Sequence, residues 1–509
     1  MLAADFSFGP YALDPAAGRL LRNGEPLTVS GSGIRILEAL LEARGGVVTK
    51  EYLLERGWPG TVVEEGNLTV QVAKLRDLLQ SGTERGEWIV TVPRVGYRLL
   101  RQDKAAAEPA APAASVKPSI AVLPFDNLGG SEAQDFGADG LVEDLITGLS
   151  RFRTFAVVSR NSTFVYKGRA VDARQAASEL GVRYLLQGSV RRAGDRVRIA
   201  AQLIEGATGV HLWAEKLDGQ LDDIFEFQDR ITDSVIGLIE PQIQRAEIER
   251  ARQKRPESFD AWDLYVQAVP LVLSPHVANY DTAIPLLHRA IALEPNYCPA
   301  LATASWAHER RRTYGGRSGT GADDERMAFA FAQRAVEADP NDALALANFG
   351  WQRILFKSDF SGVDMCERAV ALNPYHRAVL ELSSIAHLCA GDLDKLMLYA
   401  HRGLDLSPGA PDNFEFATHV ASAHFQAGRF EEAATWSQRS IDLEPGYFFA
   451  YAHLAMSLAC LGRIEEGQRV HAAARAVNPH LSFTQSPPTR YPERQERWLV
   501  GARLLGLVP

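Results

Sequence analysis

Asn67, Val70, Gln71 and Lys74 fall on one face of a helix-forming stretch and present two amides, an apolar side chain and a cation. Amides can bond to base edges in the DNA major groove, and an ammonium group can contact phosphate. The alternative is that these four side chains are ordinary solvated surface groups. We interpret the spacing as a face that can read DNA, provided that neighbouring elements hold the helix at the surface.

The helix itself is predicted from about residue 65 to residue 79. Leu68, Val72, Leu75 and Leu79 recur at helical spacing, which makes one buried stripe about 120° from the reading face. Residues 74 to 101 hold six Lys or Arg against three Asp or Glu, whereas residues 1–102 as a whole are neutral. Positive charge is therefore concentrated on this helix and the segment after it.

The elements around the helix can also be predicted. Residues 4–30 alternate apolar and polar and contain Asn23-Gly24, which is typical of a two-residue hairpin in a small antiparallel sheet. A helix is expected from Ser32, and Thr49 is a suitable N-cap for the next one. Residues 88–100 alternate as a β-hairpin, with Gly96 providing backbone freedom. Residues 1–102 are thus predicted to form a winged helix-turn-helix of the α+β class.

Residues 27–100 resemble the OmpR/PhoB-type winged-helix domain of bacterial transcriptional regulators. The resemblance is carried by VVTKEYLLERGW, NLTVQVAKLRDLL and IVTVPRVGYRLL. It implies that the third helix enters the major groove, that the wing reaches the minor groove or the backbone, and that residues 59–66 can touch RNA polymerase. Double-stranded DNA is the implied partner, with dimers or tandem pairs on repeated half-sites.

The resemblance also implies residue roles. Asn67, Val70, Gln71 and Lys74 would face DNA, Arg76 and Thr91 would contact phosphate, and Arg94 would be the cation of the wing. Two departures matter: Gly66 stands where many members carry arginine, and no receiver domain precedes the winged helix. Control by phosphorylation, as in a phosphorelay, is therefore not expected.

An Ala/Pro-rich linker is predicted at residues 103–117, followed by an α/β domain at 118–220. Its pattern predicts the order β-α-β-α-β-β-β and hence a mixed sheet. The stretches SIAVLPFDNL and YLLQGSVRRAGDRVRIAAQLI resemble the amino-terminal domain of TolB-like proteins, which implies a binding or docking role.

Possible catalytic groups in this domain are few. Asp139, Glu143 and Asp144 form a carboxylate cluster that we interpret as a solvated acidic face, since no histidine or metal-ligand spacing joins them. Residues 159–163 follow a strand and could contact a ligand, although a polar loop is the default. No phosphate-binding or dinucleotide motif occurs. We expect no enzymatic activity, no metal and no cofactor.

The C-terminal half shows a repeat. Prolines at 295, 340, 374, 408, 445 and 479 are separated by 45, 34, 34, 37 and 34 residues, and 34 is the tetratricopeptide period. We predict a connecting helix at 221–257, about six helix-turn-helix units at 258–480 forming an all-α solenoid, and a capping segment at 481–509. The second unit carries the insert RTYGGRSGTGADDE. Such solenoids present a concave surface to proteins or peptides.

Bulk properties set the remaining expectations. The net charge of −9 argues against indiscriminate coating of nucleic acid, and the four cysteines are interpreted as buried apolar residues. No apolar run spans a membrane and no signal peptide is visible, so a cytoplasmic protein is expected.

The sequence thus favours a soluble one-component transcriptional regulator in signal transduction, whose middle domain and repeats sense a partner or ligand. The alternative is a scaffold or adaptor in which the repeats bind proteins and the winged helix serves protein interaction.

Overall fold

The computed structural model divides into two compact units, residues 1–111 and 112–509. The residues that it describes are 7–8, 11–14, 17–22, 24–43, 48–59, 61, 63, 65–80, 88–92, 96–99, 117–128, 136–169, 171–193, 196–220, 224–315, 321–478 and 488–507. The break between the units falls inside the predicted linker, most of which lies outside the described residues.

The first unit opens with a four-stranded antiparallel sheet. Its strands are β1 (Ser7–Phe8), β2 (Tyr11–Asp14), β3 (Arg19–Arg22) and β4 (Glu25–Leu27), in that order across the sheet. Arg22 pairs with Glu25 across the predicted hairpin, where Gly24 has a φ of 89°. The predicted small sheet is therefore present.

Three helices and a second sheet complete this unit. The helices are α1 (Gly31–Glu42), α2 (Lys50–Gly57) and α3 (Glu65–Gln80), and the strands are β5 (Val48–Thr49), β6 (Ile89–Val92) and β7 (Gly96–Leu99). β6 and β7 form the predicted hairpin, and β5 pairs with β7 on the other side. Thr49 caps α2 as expected, because its hydroxyl accepts a bond from the Tyr52 amide.

Gly96 has a different role from the one predicted. A Cβ atom at this position would lie 1.8 Å from the carbonyl oxygen of Val48 in β5, and φ is not in the left-handed region. Glycine is required because the two backbones approach closely, not because the turn needs unusual dihedral angles.

The second unit begins with a mixed sheet in the strand order β10-β8-β11-β12-β13. The strands are β8 (Ser119–Val122), β9 (Asp126–Asn127), β10 (Ala156–Val157), β11 (Tyr184–Ala193), β12 (Arg196–Glu205) and β13 (His211–Gln220). β8 runs parallel to β10 and β11, whereas β12 is antiparallel to its neighbours. The predicted mixed sheet is confirmed, with the short strand β9 added beside β11.

The helices of this domain are α4 (Phe136–Leu149), α5 (Arg160–Thr163), α6 (Ala173–Leu180) and α7 (Ile224–Arg252), with a 3-10 helix at Phe164–Tyr166. The sequence predicts α7 as a connection to the repeats. In the structure its apolar face, including Phe227, Ile231, Val235 and Ile239, lies in the core of the α/β domain. Burial of these side chains makes α7 part of that domain.

Six antiparallel helix pairs follow, after a 3-10 helix at Pro256–Ser258. They are α8 (Ala261–Val272), α9 (Val277–Leu293), α10 (Cys298–Tyr314), α11 (Gly321–Ala338), α12 (Ala343–Lys357), α13 (Gly362–Leu372), α14 (Arg377–Ala390), α15 (Leu393–Leu406), α16 (Asn413–Gln426), α17 (Phe430–Leu443), α18 (Phe448–Cys460) and α19 (Ile464–Val477). The predicted all-helical repeat array is confirmed. Part of the predicted insert is helical, since α10 continues to Tyr314 and α11 begins at Gly321.

The small residues before the prolines pack as the repeat pattern predicts. Ala290, Ala335, Ala369, Ser440 and Ala474 have no exposed surface. A final helix, α20 (Pro492–Leu504), packs against α18, the first helix of the last pair. Within the described part of the chain, no helix has the length and apolar character needed to cross a bilayer.

Candidate nucleic-acid interface

Helix α3 is held in the first unit by the predicted apolar stripe. Leu68, Val72, Leu75 and Leu79 are each no more than 2% exposed. The opposite side of the helix is open to solvent: Asn67, Val70 and Lys74 are exposed, and 56% of Val70 is accessible. An exposed valine at the middle of a helix contributes nothing to the core, so this surface is available to a partner.

The exposed strip of α3 is displaced around the helix axis from the predicted face. Its residues are Asn67, Thr69, Val70, Ala73, Lys74 and Asp77. Asp77, Ala73 and Thr69 are also exposed. At about 100° per residue they lie about 170°, 130° and 90° from the centre of the buried stripe, on the side away from Gln71. The predicted reading face, about 120° from the stripe, does not include these residues. The position about 180° from the four buried apolar residues, near Val70 and Asp77, is the signal that locates the centre of the exposed side.

Gln71 lies at one border of the strip. It is half-buried, and its amide nitrogen donates to the Ser30 hydroxyl at 2.7 Å. The same hydroxyl accepts a bond from the Gly33 amide at the start of α1, so Gln71 links α3 to that helix end. A Cβ at Gly33 would lie 2.7 Å from the Gln71 amide nitrogen, which shows how closely the helices approach. The bond to Ser30 uses one of the two Nε2 hydrogens and restricts the orientation of the amide.

Arg76 lies at the other border and contacts the β6–β7 hairpin, which is the predicted wing. Its Nε donates to the Ile89 carbonyl at 2.8 Å, and its Nη2 donates to the Thr91 hydroxyl at 2.8 Å. The guanidinium carbon also lies 6.0 Å from the centre of the Tyr97 ring. The two residues predicted as separate phosphate contacts are therefore bonded to each other and join α3 to β6.

The remaining predicted positions are only partly described. Arg94, the predicted cation of the wing, lies outside the described residues, as does the rest of the tip between Val92 and Gly96. In the predicted polymerase-facing loop, Pro59, Thr61 and Val63 are described, whereas Gly66 is already the second residue of α3. The face that the structure brings together consists of Asn67, Val70 and Lys74, with Gln71 and Arg76–Thr91 on its borders.

Hydrogen bonds outside the exposed strip hold α2 and α3 in position within the first unit. The Tyr11 hydroxyl donates to the Leu79 carbonyl at 2.8 Å, and burial raises the pKa of this phenol. Arg35 of α1 donates twice to the Gly57 carbonyl at the end of α2. The first sheet and α1 thus bond to the last turns of α3 and α2, which sets the helices at a defined spacing.

The carboxylate cluster of the α/β domain is largely paired. Asp139 lies 2.8 Å from Lys167, and Glu143 lies 3.7 Å from Arg160. Burial and the charges of Asp229 and Glu143 raise the pKa of Asp144. Residues 160–163 form the short helix α5 in place of the expected loop. Within the described residues, no group of three metal-ligating side chains converges.

The cysteines are unpaired thiols in the repeat array, and Cys298, Cys366 and Cys389 are buried. Burial raises the pKa of Cys366 and of Cys389 to about 12. They pack as apolar groups, as the sequence indicates.

Two family models match the chain. Residues 24–99 match "Transcriptional regulatory protein, C terminal", which is the segment that contains α1 to β7. Residues 115–234 match "HilA/YgeH-like transcriptional regulator, second domain". The second match extends past the last strand into α7, in agreement with the packing of that helix in the α/β core.

Two curated relatives share longer stretches. The chain is 38% identical over 269 residues to "Putative adenylate cyclase 3" of Rhizobium meliloti, an alignment that covers 50% of this chain and 44% of that relative. It is 23% identical over 415 residues to the transcriptional regulator HilA of Salmonella typhimurium, covering 79% of this chain and 70% of HilA.

Among solved structures, the DNA-binding domain of E. coli CadC is 26% identical and aligns with 19% of this chain and 90% of its own, with a TM-score of 0.18. Residues 24–99 are therefore similar to the C-terminal domain of transcriptional regulatory proteins, and residues 115–234 are similar to the second domain of HilA/YgeH-like transcriptional regulators. An array of paired helices with a tetratricopeptide-like period follows them in the chain.

Proposed function

We propose that this chain is a one-component transcriptional regulator that binds specific double-stranded DNA through the exposed strip of α3 and the wing. The observation that supports the proposal best is the solvent-exposed set Asn67, Val70 and Lys74, opposite a fully buried stripe on the same helix. These groups supply an amide for base edges, an apolar contact and a cation for phosphate.

The other modules would decide when DNA is bound. The α/β domain and the repeats share one compact unit, so a partner or ligand on either can act on the same body. We further propose that the regulator binds as a dimer or tandem pair and contacts RNA polymerase through the loop that contains Pro59 and Thr61. The chain is proposed to carry no enzymatic activity; the cyclase named for one relative belongs to a protein of which this chain covers less than half.

The test is a gel-shift titration of the full chain with promoter fragments selected by genome-wide mapping of bound DNA. Lys74→Ala should weaken binding about tenfold, and the slope of log affinity against log salt should fall by about 1, because one phosphate contact is lost. Lys216→Ala is the matched control, since Lys216 is an exposed lysine on β13 of the other unit.

Equal binding by the wild type and Lys74→Ala would contradict the assigned face. Enrichment of protein partners without enrichment of any DNA sequence would favour the scaffold alternative over a regulator.

A further inference from the structure

The inner face of the repeat array is closed by the chain's own side chains. Arg310 of α10 is 2% exposed and donates to Glu381 of α14 at 2.7 Å and to Glu415 of α16 at 2.6 Å. The hydroxyl of Tyr447, at the start of α18, donates to the same Glu415 at 3.1 Å. Helices that are more than 100 residues apart in the chain therefore meet around one arginine.

A cavity of about 1200 Å³ remains beside this cluster. Its walls include aromatic side chains of the first helix of several pairs, among them Trp306, Trp351 and Phe449. The C-terminal segment supplies another wall through Thr489, Arg494 and Trp498. A segment that follows the last repeat in the sequence thus lies on the concave side, although a terminal cap was expected to cover only the end of the array.

We call residues 488–505 the strap. Two of its arginine side chains and one backbone amide donate to carbonyls at the C-terminal ends of inner helices. The Arg490 amide donates to the Cys389 carbonyl at 3.0 Å, the Arg494 side chain donates to the Gly391 carbonyl at 2.7 Å, and the Arg497 side chain donates to the Gln426 carbonyl. Carbonyls at helix C-termini lack intrahelical partners and carry partial negative charge, so they attract cations.

The strap has one aromatic anchor. Trp498 is 8% exposed, and its ring lies edge-on at 5.5 Å from Phe425 and at 5.0 Å from His453. The Tyr491 ring covers Gly391, where a Cβ would lie 2.3 Å from a ring carbon. Most other side chains in the first two turns of α20 are exposed. The contact area therefore consists of two arginines followed by an apolar patch, in which Trp498, Ala502 and Leu505 share a buried cluster with residues of α16 to α19.

One feature of the strap is unfavourable in this position. The Arg494 Nη1 atom is buried and lacks a hydrogen-bond partner among the described residues. A buried donor without a partner costs free energy, which lowers the net stability of the bound strap. Contacts of this kind can be replaced by a competitor that makes the same bonds.

We propose that the strap is an intramolecular ligand of the repeat array, displaced when a partner helix with the same chemistry binds there. That partner would carry arginines at the spacing of Arg494 and Arg497, followed by an aromatic residue in place of Trp498. This inference rests on the proposed role of the repeats as a partner-binding surface. The binding face is the inner side of the array, the strap occupies it in the resting chain, and a partner helix competes with the strap.

The experiment uses the full chain and a fluorescein-labelled peptide of residues 488–507. In wild type the tethered strap is present at a high effective concentration and should exclude the peptide. Arg494→Ala combined with Trp498→Ala should weaken the strap, so the peptide should bind this variant about tenfold more tightly by fluorescence polarisation. Arg503→Ala is the matched control, because Arg503 lies on the same helix and pairs with Glu496 within it.

Hydrogen exchange supplies an independent measurement. Amides at the ends of α14 and α16, in residues 385–391 and 420–426, should exchange faster in the double variant than in wild type. If the double variant does not fold, Arg494→Ala alone serves, since it leaves the tryptophan anchor in place. Equal peptide binding by wild type and variant, or unchanged exchange at both helix ends, would overturn the proposal. Neither measurement contains DNA, so a failure of DNA recognition leaves both results unaffected.

Discussion

At the scale of single residues, the side chains assigned to DNA do not all have the same freedom. Lys74 and Asn67 are exposed, whereas Gln71 is bonded to Ser30 and Arg76 is bonded to Ile89 and Thr91. A bonded side chain loses its present partner when it turns to a base or phosphate, so its net contribution to affinity is smaller. Under the proposed function, DNA binding by α3 therefore depends most on Asn67 and Lys74.

The two hydrogen bonds of Arg76 allow a structural role to be separated from a role as a phosphate contact. Arg76→Ala should lower the free energy of unfolding of the first unit by about 1–2 kcal/mol, because it removes two charge-assisted bonds at a partly exposed site. Urea unfolding of residues 1–111 measures this change. If Arg76 is a phosphate contact and not a link to the wing, the salt slope of DNA binding should change while stability does not.

His419 is 4% exposed, and its Nδ1 atom lies 2.6 Å from the Ser384 hydroxyl oxygen. Burial lowers its pKa from 6.5 to about 4. Between these values the unfolded chain binds a proton that the folded chain does not, so the contribution of His419 to stability is lost as pH falls from 6.5 towards 4.

His419→Gln should remove this dependence. The difference in unfolding free energy between wild type and the variant should change by about 1.4 kcal/mol per pH unit below pH 6.5. Denaturant titrations at pH 7, 6 and 5 on the full chain give the difference directly. A constant difference across this range would show that the histidine is not buried as a neutral group.

At the scale of elements, the position of the β6–β7 hairpin depends on how closely β7 approaches β5. β7 can pair with β5 because Gly96 has no side chain to meet the Val48 carbonyl. Arg76 fixes the other strand of the hairpin to α3. The β6–β7 hairpin is therefore held between β5 and α3, and these two elements fix its position.

Gly96→Ala should therefore destabilise the first unit by about 3 kcal/mol or more, since a Cβ would overlap a backbone carbonyl that cannot move freely. Gly66→Ala is the control in the same unit: nothing lies within 4 Å of a Cβ there, and Gly66 is in a helix. That substitution should be neutral or stabilising by up to about 1 kcal/mol. Thermal unfolding of residues 1–111 compares the two, and a similar loss in both would refute the close-approach argument.

At the scale of the whole molecule, the two units have separate cores. The apolar cluster of the winged helix contains residues 11–99, whereas the other clusters belong to residues 120–505. Separate cores are expected to unfold in separate cooperative transitions. Under the proposed function, the second unit can change its state without unfolding the unit proposed to bind DNA.

Calorimetry of the full chain should accordingly show at least two transitions. Gly96→Ala should lower the temperature of one and leave the other unchanged, and His419→Gln at pH 5 should affect only the other. A single transition that both substitutions shift together would mean that the two units are coupled in folding.

Much of the architecture could be predicted from local patterns. The stripe of Leu68, Val72, Leu75 and Leu79 fixes the inner side of α3, and the 34-residue proline spacing fixes the helix pairs. Both patterns repeat within one element or one unit, and local periodicity decides which face of such an element is buried. The same periodicity predicts that Asn67, Val70 and Lys74 are exposed, and their role in reading DNA stays a prediction.

Helix caps, alternation and repeat length act over short stretches of chain, so the identity and order of most elements can be predicted from them. Which distant groups meet depends on tertiary packing. The bond from Arg76 to Thr91, the packing of α7 in the α/β core, the Arg310 cluster and the position of the strap each join residues without a shared local pattern. Such contacts depend on how packed elements bring surfaces together, and no spacing along the chain encodes that distance.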